Sequence, residues 1–404
     1  KAINDYLGHA AGDQFIRDFA TRTTEAIEGR GMIARLGGDK FVVVPASAMD
    51  LGAATELAES LRSQVTAHVS IGGEVLHRTV SVGVAAGVPG EDSSLDLLRR
   101  ADEALLTAKG TGGDSIGTFS AEMLTRRELR NEIELHLPAG IETNALTVLY
   151  LPEIDMVTGR VLAVEALVRW QHPTRGLLLP DQFVPVAESM NLAGELGDWV
   201  LRAACAHLAE WRAHGVGLNT MVRINVSPAQ LVSHDLVNTV KCTLDEFGLD
   251  GPSIGLEITE SMLIQDLANT RAILVELREL GMDIAIDDFG TGYSAMGLLR
   301  TLPVGTLKID RSFVLDLANS ADDLAIVRAI IGLADALDLN VVAEGVETED
   351  AVRVLLEEGC SRAQGFLFCR PIPAEATKML LAEGSVPVGI KPTAAREEAE
   401  TNPP

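Results

Sequence analysis

The sequence predicts an α/β protein in two parts, a smaller α/β domain followed by a TIM-like (β/α)8 barrel. Over roughly the last 240 residues, strand-like runs alternate with helices about every 20 to 40 residues, which is the rhythm of a (β/α) barrel. The chain has 404 residues, of which 47% are hydrophobic, so it is longer than one ordinary domain and can bury at least one large core. We therefore expect two domains.

The first part alternates helices with short β-branched strands. Its apolar spacing predicts helices over 11–29 and 94–109 and strands over 40–44 and 79–85. Apolar residues at helical spacing among charges then predict a connecting helix that ends before Pro138 and Gly140. The predicted divisions are a first domain over 1–119, a connecting helix over 120–137, a barrel over 138–384 and a disordered tail over 385–404.

The second part contains seven strand-like runs separated by helical segments. They cover 161–168, 221–226, 254–258, 283–286, 306–309, 341–343 and 363–368. In a barrel of parallel strands the carboxyl ends meet at one rim, so polar residues at those ends converge even when they are distant in sequence.

The composition of the chain restricts the kinds of molecule that it is expected to bind. A formal net charge of −25 repels polyanions, so long nucleic acid is not an expected partner, whereas a small phosphorylated ligand held by metal ions remains possible. We expect no membrane span, because no apolar run approaches the roughly 18 to 20 residues required, and the chain shows no secretion leader. We therefore expect a cytoplasmic protein. The four cysteines form no Cys-x-x-Cys pair and are expected to be reduced core thiols.

Seven polar residues lie at or near the ends of successive predicted strands. They are Glu165, Asn225, Glu257, Asp287, Asp288, Lys308 and Glu344. A single strand-end carboxylate is usually a helix cap or half of a salt bridge, but seven such residues on successive strands would require many independent coincidences. Asp287 and Asp288 are adjacent at the end of an apolar strand, where two like charges repel and lose solvation unless a cation compensates them.

The chemistry of this set indicates a site for two hard divalent cations. Oxygen ligands without histidine or cysteine favour Mg²⁺ or Mn²⁺ over zinc. Two such ions about 3.5 to 4 Å apart suit displacement at a phosphodiester. Lys308 could orient or deprotonate a water or stabilise developing negative charge, and the alternative is an ion pair that neutralises surplus carboxylates.

The run Glu165-Ala166-Leu167 and the segments after it resemble the EAL family of cyclic di-GMP phosphodiesterases. The resemblance covers about residues 127–381, and its motifs occur in the family's order: Asn225-Val226-Ser227, Glu257-Ile258-Thr259-Glu260, Asp287-Asp288-Phe289-Gly290, Lys308-Ile309-Asp310, Glu344-Gly345-Val346-Glu347 and Gln364-Gly365-Phe366. It implies hydrolysis of cyclic di-GMP to linear pGpG with Mg²⁺ or Mn²⁺ as cofactor.

The resemblance also implies roles for individual residues. One metal would be held by Glu165, Asn225, Glu257 and Asp287, and the other by Asp287, Asp288 and Glu344. Lys308 would position the attacking water, and Glu344 and Glu260 complete the implied catalytic set. Glu260 would brace the loop over 289–294, which in the family leads to a dimer contact, so a homodimer is expected. Arg169 and Gln364 would reach the substrate, and Glu347 is a weaker assignment.

One departure from the family pattern lies near the start of the barrel. The family's Tyr-Gln-Pro-Ile is Tyr150-Leu151-Pro152-Glu153 in this chain. A substrate-contacting glutamine is therefore replaced by Leu151, which should weaken substrate binding more than metal chemistry.

The first part resembles a GGDEF domain, the fold that condenses two GTP into cyclic di-GMP. Its name motif is Gly37-Gly38-Asp39-Lys40-Phe41, with Lys40 in place of a glutamate beside the expected metal site. The strand that carries the family's first metal aspartate would precede Lys1, and Gly113 replaces an expected arginine. These departures imply a degenerate domain.

Three interpretations of this domain remain open. It is an inert dimer scaffold, a GTP-binding regulator that uses Asn4, Asp13 and Asp39, or a cyclase completed by a longer chain. For Asn4 and Asp13 the alternative is capping of a loop or helix, and for Gly37 and Gly38 it is a tight hairpin turn. For the whole chain, the phosphodiesterase competes with a bifunctional cyclase and phosphodiesterase and with a non-catalytic cyclic di-GMP receptor.

Overall fold

The computed structural model describes residues 9–71, 74–88, 91–110, 113–143, 145–231, 235–265, 267–292 and 299–386. The chain divides into two compact units, Lys1–Asn131 and Glu132–Pro404, and the division falls inside the segment predicted to be the connecting helix. Asn4 and most of the predicted tail lie outside the described residues.

Among its described residues, the first unit contains three helices and three pairs of short strands before the connecting helix. In chain order the elements are α1 (His9–Ile27), β1 (Gly31–Gly37), β2 (Lys40–Pro45), α2 (Leu51–Val65), β3 (Ala67–Ile71), β4 (Glu74–Arg78), β5 (Val82–Val84), α3 (Ser94–Gly110), β6 (Ile116–Thr118) and α4 (Ala121–Glu142). The pairs β1–β2 and β3–β4 are antiparallel, and β5–β6 is parallel.

Glycine allows the parallel pair of the first unit to pack closely on α3. A Cβ added at Gly83 would lie 2.0 Å from the carbonyl oxygen of Ala101, and one added at Gly117 would lie 2.0 Å from that of Ala104. Ala104 and Ala108 of the helix are buried at this face. Small residues on both sides therefore bring the helix backbone against the strands.

Helix α4 continues five residues beyond its predicted end, through Pro138 to Glu142. Pro138 is exposed, so its ring meets solvent, and it removes only the hydrogen bond to the carbonyl of Glu134. Packing retains the last turn, because Leu137 is fully buried and Gly140 admits the indole of Trp170. A Cβ at position 140 would lie 2.8 Å from the indole Nε1.

The described part of the second unit contains ten strands, which are β7 (Leu146–Asp155), β8 (Val161–His172), β9 (Gly176–Leu178), β10 (Met221–Asn225), β11 (Ile254–Thr259), β12 (Asp283–Phe289), β13 (Thr306–Ile309), β14 (Asn340–Ala343), β15 (Arg362–Ala363) and β16 (Ile372–Pro373). Eight of them close into a barrel, because β7 pairs with both β8 and β15. The predicted TIM-like barrel is confirmed.

Three details differ from the predicted barrel, and the first is that β7 was not among the seven predicted strand-like runs. Strand β7 runs antiparallel to both of its barrel neighbours, whereas the ladders from β8 through β15 are parallel. The strand predicted over 363–368 is only the two residues of β15. The chain leaves the ladder at Gly365, whose backbone packs on Val346 so closely that a Cβ would lie 2.2 Å from the Val346 carbonyl oxygen.

Ten helices accompany the strands among the described residues of the second unit beyond α4. They are α5 (Pro180–Ser189), α6 (Ala193–Ala213), α7 (Pro228–Leu231), α8 (Leu236–Phe247), α9 (Met262–Gln265), α10 (Leu267–Glu279), α11 (Arg311–Val314), α12 (Ala321–Ala336), α13 (Glu349–Glu357) and α14 (Ala374–Glu383). The apolar stripe of α6, from Leu196 to Trp211, is buried against the barrel core.

Capping residues fix where several helices begin. Ser320 accepts a hydrogen bond from the Asp323 amide ahead of α12, and Thr348 accepts one from the Ala351 amide ahead of α13.

No helix in the described ranges is both long and apolar enough to span a membrane. All four cysteines are free thiols. Cys205 and Cys360 are buried as expected, but the expectation of core thiols is wrong for Cys242, which faces solvent on α8, and for Cys369, which is only partly buried.

Candidate active site

The predicted strand-end residues converge at the carboxyl end of the barrel. Glu165 comes from β8, Asn225 ends β10, Glu257 lies in β11 and Lys308 lies in β13. Asn225 stands opposite Glu257 in the β10–β11 ladder, and Thr259 stands opposite Asp287 in the next ladder. Because alternate residues of a strand point to the same side, the register of these ladders directs the site residues into the barrel.

Lys308 lies at the centre of this set and is fully buried. Its Nζ is 2.5 Å from Glu344 Oε1, 2.9 Å from Glu257 Oε1, 3.0 Å from Asp287 Oδ1 and 3.6 Å from Glu165 Oε2. These contacts have ion-pair distances but not the angles of hydrogen bonds. The ammonium therefore balances part of the negative charge without saturating the carboxylate oxygens.

Two side-chain amides connect the carboxylates. Asn225 Nδ2 donates to Glu165 Oε1 at 2.9 Å. Gln364 Nε2 donates to Glu165 Oε2 at 2.7 Å and to Glu344 Oε1 at 3.0 Å. Because Asn225 donates through its nitrogen, its carbonyl oxygen is available as a ligand.

A local irregularity in β12 separates Asp287 from Asp288. The pairing of β12 with β13 shifts register between Ile286 and Phe289, and Asp288 has a positive φ of 52°. Asp287 is consequently buried while Asp288 is exposed, although they are adjacent. One carboxylate oxygen from each of Asp287, Asp288 and Glu344 lies within 4.8 Å of the others.

The pKa shifts show in which direction burial and neighbouring charges act on the ionisable groups of the site. Burial raises the pKa of Glu257 and Glu344 well above the usual value, against the opposing charge of Lys308. Burial would lower the pKa of Lys308, but the surrounding carboxylates outweigh it and the pKa lies well above its usual value. Asp288 is exposed as a residue but its carboxyl group is partly buried, and this partial burial, followed by the neighbouring carboxyl groups of Asp287 and Asp310, raises the pKa of Asp288 to about 6.

The residues fit hard divalent cations. Within the described part of the chain, Glu257 Oε1, Glu257 Oε2 and Asp287 Oδ1 are buried oxygens without a hydrogen-bond donor. The single Lys308 ammonium faces two of these oxygens and so compensates only part of the carboxylate charge, which hard divalent cations would complete. Asp287, which the resemblance implies for both ligand sets, contacts the Lys308 ammonium and also lies in the group with Asp288 and Glu344.

Glu260 lies beside the loop that follows β12. The Gly290 amide donates to Glu260 Oε2 at 3.4 Å, and a Cβ added at Gly292 would lie 3.1 Å from the Glu260 carboxyl carbon. The rest of the predicted loop, Tyr293 and Ser294, lies outside the described residues. Glu347 is exposed.

The remaining barrel residues of the prediction lie on β7 and β8. Arg169 is buried and donates to the carbonyl oxygen of Val168 at 2.8 Å. Burial lowers its pKa, against the charges of Glu165 and Asp181. Leu151 is buried and stands directly opposite Glu165 in the β7–β8 ladder. Leu151, which stands in place of the family's glutamine, therefore lies next to the carboxylate set.

The two described residues of the predicted GTP site, Asp13 and Asp39, lie on different elements of the first unit. Asp13 is exposed within α1, which also excludes a capping role for it at the start of the helix, and Asp39 is exposed in the turn between β1 and β2. Gly37 pairs with Lys40 and Gly38 has a φ of +56°, so this segment forms a tight hairpin turn. Lys40 makes an exposed ion pair with Asp102 at 2.6 Å.

Sequence reasoning gave no role to two charged residues near the site. Asp310, at the end of β13, interacts with Asp288 and caps α11 through the amide of Ser312. Arg223 is 2% exposed in the middle of β10. For Arg223 the available signal in the sequence was a charged residue inside an otherwise apolar strand. For Asp310 the signal was its position two residues after Lys308.

Comparison with known proteins places this geometry in a family. The EAL domain family matches residues 134–371, and the family described as diguanylate cyclase, GGDEF domain, matches residues 1–115. An uncharacterized protein of Mycobacterium tuberculosis is 59% identical over 387 residues, covering 96% of this chain and 62% of that protein. This chain thus spans less than two thirds of the length of that relative.

Two further proteins carry functional names. The cyclic di-GMP phosphodiesterase NbdA of Pseudomonas aeruginosa is 38% identical over 382 residues, covering 94% of this chain and 48% of NbdA. The solved structure of the PaMucR phosphodiesterase with c-di-GMP is 41% identical, with a TM-score of 0.59, and the match covers 61% of this chain and 99% of that one. The chain therefore belongs to the EAL-domain family, with a GGDEF-type unit preceding its EAL barrel.

Proposed function

We propose that this chain is a metal-dependent phosphodiesterase that hydrolyses cyclic di-GMP to linear pGpG. The observation that carries the proposal is the set of buried carboxylates around Lys308 at the barrel rim, with oxygens that lack hydrogen-bond donors. NbdA and PaMucR, which are named as phosphodiesterases, support the same reaction class.

Two groups of ligands would hold two Mg²⁺ or Mn²⁺ ions. Glu165, Asn225, Glu257 and Asp287 form the first group, and Asp287, Asp288 and Glu344 form the second. When bound, such ions supply charge stabilisation at a phosphodiester and make water more acidic. Gln364 and Asn225 orient the carboxylates through the amide contacts described above.

Lys308 acts as a positively charged hydrogen-bond donor in this proposal. Its raised pKa keeps it an ammonium in the carboxylate environment described here, which argues against removal of a proton from water by Lys308. It therefore orients a water and stabilises the negative charge that develops on the phosphate oxygens. Arg169 and Gln364 remain the predicted contacts to substrate.

A turnover assay with an isosteric variant tests the proposal. The chain is incubated with cyclic di-GMP and Mn²⁺, and pGpG is measured by chromatography for the wild type and for Glu165→Gln. We expect pGpG from the wild type, none after chelation, and a reduction of about 100-fold or more in the variant, because a metal ligand is lost. Absence of pGpG from a folded wild type, or equal rates in the two proteins, would contradict it.

The same assay separates the alternatives. Binding of cyclic di-GMP without turnover in the presence of metal would favour a receptor. The first unit is proposed to be a regulatory or scaffold unit, and a change in turnover on addition of GTP would identify it as a GTP-dependent regulator. The homodimer and the cytoplasmic location remain predictions, and sedimentation of the chain tests the first.

A further inference from the structure

A second polar layer lies inside the barrel beneath the proposed metal site. On three strands its residues precede site residues by two positions: Arg223 precedes Asn225, Thr306 precedes Lys308 and Arg362 precedes Gln364. Alternate residues of a strand point to the same side, so the two layers share the barrel interior, one step of about 7 Å apart along the strands. Glu153 and Asp283 complete the lower layer, and both contact Arg223.

Arg223 connects strands that do not pair with each other. Its Nε donates to Glu153 Oε2 at 2.9 Å, and its Nη1 donates to Asp283 Oδ2 at 3.0 Å. Glu153 lies on β7 and Asp283 on β12, and each of these strands is separated from β10 by one other strand. Arg223 and Glu153 are 2% and 1% exposed, so both contacts are formed away from water.

The layer extends to two more strands. Thr306 Oγ1 of β13 donates to Asp283 Oδ2 at 2.8 Å, and Arg362 Nη1 of β15 lies 3.6 Å from Glu153 Oε1. Gly255 of β11 stands opposite Arg223 in register, and a Cβ there would lie 3.2 Å from Arg223 Nη1. The barrel therefore leaves space for the Arg223 guanidinium. Side-chain contacts of Arg223, Glu153 and Asp283 connect five strands, which are β7, β10, β12, β13 and β15.

A buried charged layer contributes little net stability, because desolvation offsets the attraction of the ions and apolar residues of similar volume are often at least as stabilising. Its effect is geometric, since a guanidinium holds two carboxylates in fixed directions. The strands it fixes are the ones that carry Asn225 and Asp287 of the site above. In addition, the charge of Arg223 opposes the effect of burial on Glu257.

We propose that Arg223 is a positioning residue for the metal site, holding β7, β10 and β12 through Glu153 and Asp283 so that the carboxylates above them keep their spacing. The proposal rests on the proposed function, because it requires that the carboxylates bind metal. It assigns to Arg223 no contact with metal or substrate.

The test exchanges the buried pair for a neutral one and measures metal binding. The double variant Arg223→Met, Glu153→Gln removes one positive and one negative charge, so the net charge beneath the site does not change. Binding of Mn²⁺ alone is measured by calorimetry well below the unfolding temperature, together with thermal unfolding. The control is Arg202→Met, Glu246→Gln, the same exchange at an exposed ion pair of 2.6 Å between α6 and α8.

We expect the buried exchange to weaken Mn²⁺ binding about tenfold, the lower end of the effect typical of residues behind metal ligands, and the exposed exchange to leave it unchanged. A lowered unfolding temperature with Mn²⁺ affinity within about twofold of wild type would show a merely structural role and overturn the inference. Absence of Mn²⁺ binding by the wild type would instead contradict the proposed function.

If the double variant does not fold, the conservative variant Arg223→Lys tests the same inference. Arg223→Lys keeps the charge but cannot hold both carboxylates in fixed directions. We expect it to fold and to weaken Mn²⁺ binding about threefold or more, with a larger loss in turnover than in substrate affinity. Wild-type affinity and turnover in Arg223→Lys would overturn the inference.

Discussion

At the scale of single residues, the charge balance around Lys308 governs the candidate site. Four carboxylates, Glu165, Glu257, Asp287 and Glu344, face one buried ammonium, and Asp288 lies beside Asp287 and Glu344. Burial and mutual repulsion disfavour the charged forms, as the raised pKa of Glu257 and of Glu344 shows. The divalent cations proposed for this site would compensate the surplus of negative charge.

Leu151 should limit substrate affinity. Its side chain is buried opposite Glu165, where an amide could reach a substrate and the adjacent carboxylate. We expect Leu151→Gln to lower KM for cyclic di-GMP about threefold to tenfold, the effect of roughly one hydrogen bond, with Mn²⁺ affinity unchanged. The matched control is Leu151→Met, which has nearly the shape of glutamine without the amide. An unchanged or higher KM in Leu151→Gln would contradict this role.

Asp288 should make metal affinity depend on pH. Its pKa is raised to about 6, so it is protonated below that pH and an ion must displace the proton. Apparent Mn²⁺ affinity should therefore fall as pH decreases through about 6, by at most about tenfold per pH unit, and level off above it. Calorimetric titrations from pH 5 to 7 measure this. Asp288→Asn should bind more weakly and with a flatter profile, and a flat wild-type profile would contradict the assignment.

At the scale of elements, the positions at which strands and helices end determine the site. The register shift in β12 turns Asp288 to the surface while Asp287 stays inside, and the two-residue strand β15 brings Gln364 to Glu165. Side-chain caps fix the starts of α11, α12 and α13 after the strands. The site geometry therefore depends on local breaks in regular structure.

Helix α4 offers a test of element stability. Pro138 is exposed in its interior and removes one helical hydrogen bond. We expect Pro138→Ala to raise the free energy of unfolding by about 1 to 2 kcal/mol, because the helical cost of proline exceeds the entropy it removes from the unfolded chain. Urea unfolding followed by tryptophan fluorescence measures this, since Trp170, Trp199 and Trp211 all lie in the second unit.

A second proline provides the control for this measurement. Pro180 is the first residue of α5, where proline removes no helical hydrogen bond. Pro180→Ala should therefore give no gain in stability. A lower unfolding midpoint in Pro138→Ala would show that the helix depends on the fixed backbone angle of proline.

At the scale of the whole molecule, the two units match two families with opposite reactions. The GGDEF unit carries Lys40 at its name motif, and the structure pairs Lys40 with Asp102. The predicted GTP residues Asp13 and Asp39 lie exposed on separate elements. The proposed activity of this chain therefore depends on the barrel.

We expect this chain to make no cyclic di-GMP from GTP. The assay uses Glu165→Gln, in which hydrolysis is expected to fall about 100-fold or more, so that any cyclic di-GMP formed would accumulate. Chromatography after incubation with GTP and Mg²⁺ should detect no cyclic di-GMP, since Lys40 places a positive charge where a metal would bind. Accumulation that is abolished by Asp39→Ala would show an active cyclase and a bifunctional chain.

The alternation of strands and helices was sufficient to predict the barrel, and polar residues at strand ends were sufficient to predict which side chains converge. The prediction was less accurate where the local sequence pattern and the tertiary packing favour different structures. Pro138 indicated the end of a helix that Leu137 and Trp170 keep intact, and an apolar run after Ala363 indicated a strand that the packing of Gly365 interrupts.

The sequence by itself determined the fold class, the family and the residues of the carboxylate set, because strand periodicity and the order of motifs are properties of the chain. Only the tertiary structure decided that β7 runs antiparallel, that Asp288 turns outward from Asp287, and that Arg223 joins Glu153 and Asp283 beneath the site. Those features depend on distances between strands that are remote in sequence, and such distances are set only when the barrel closes.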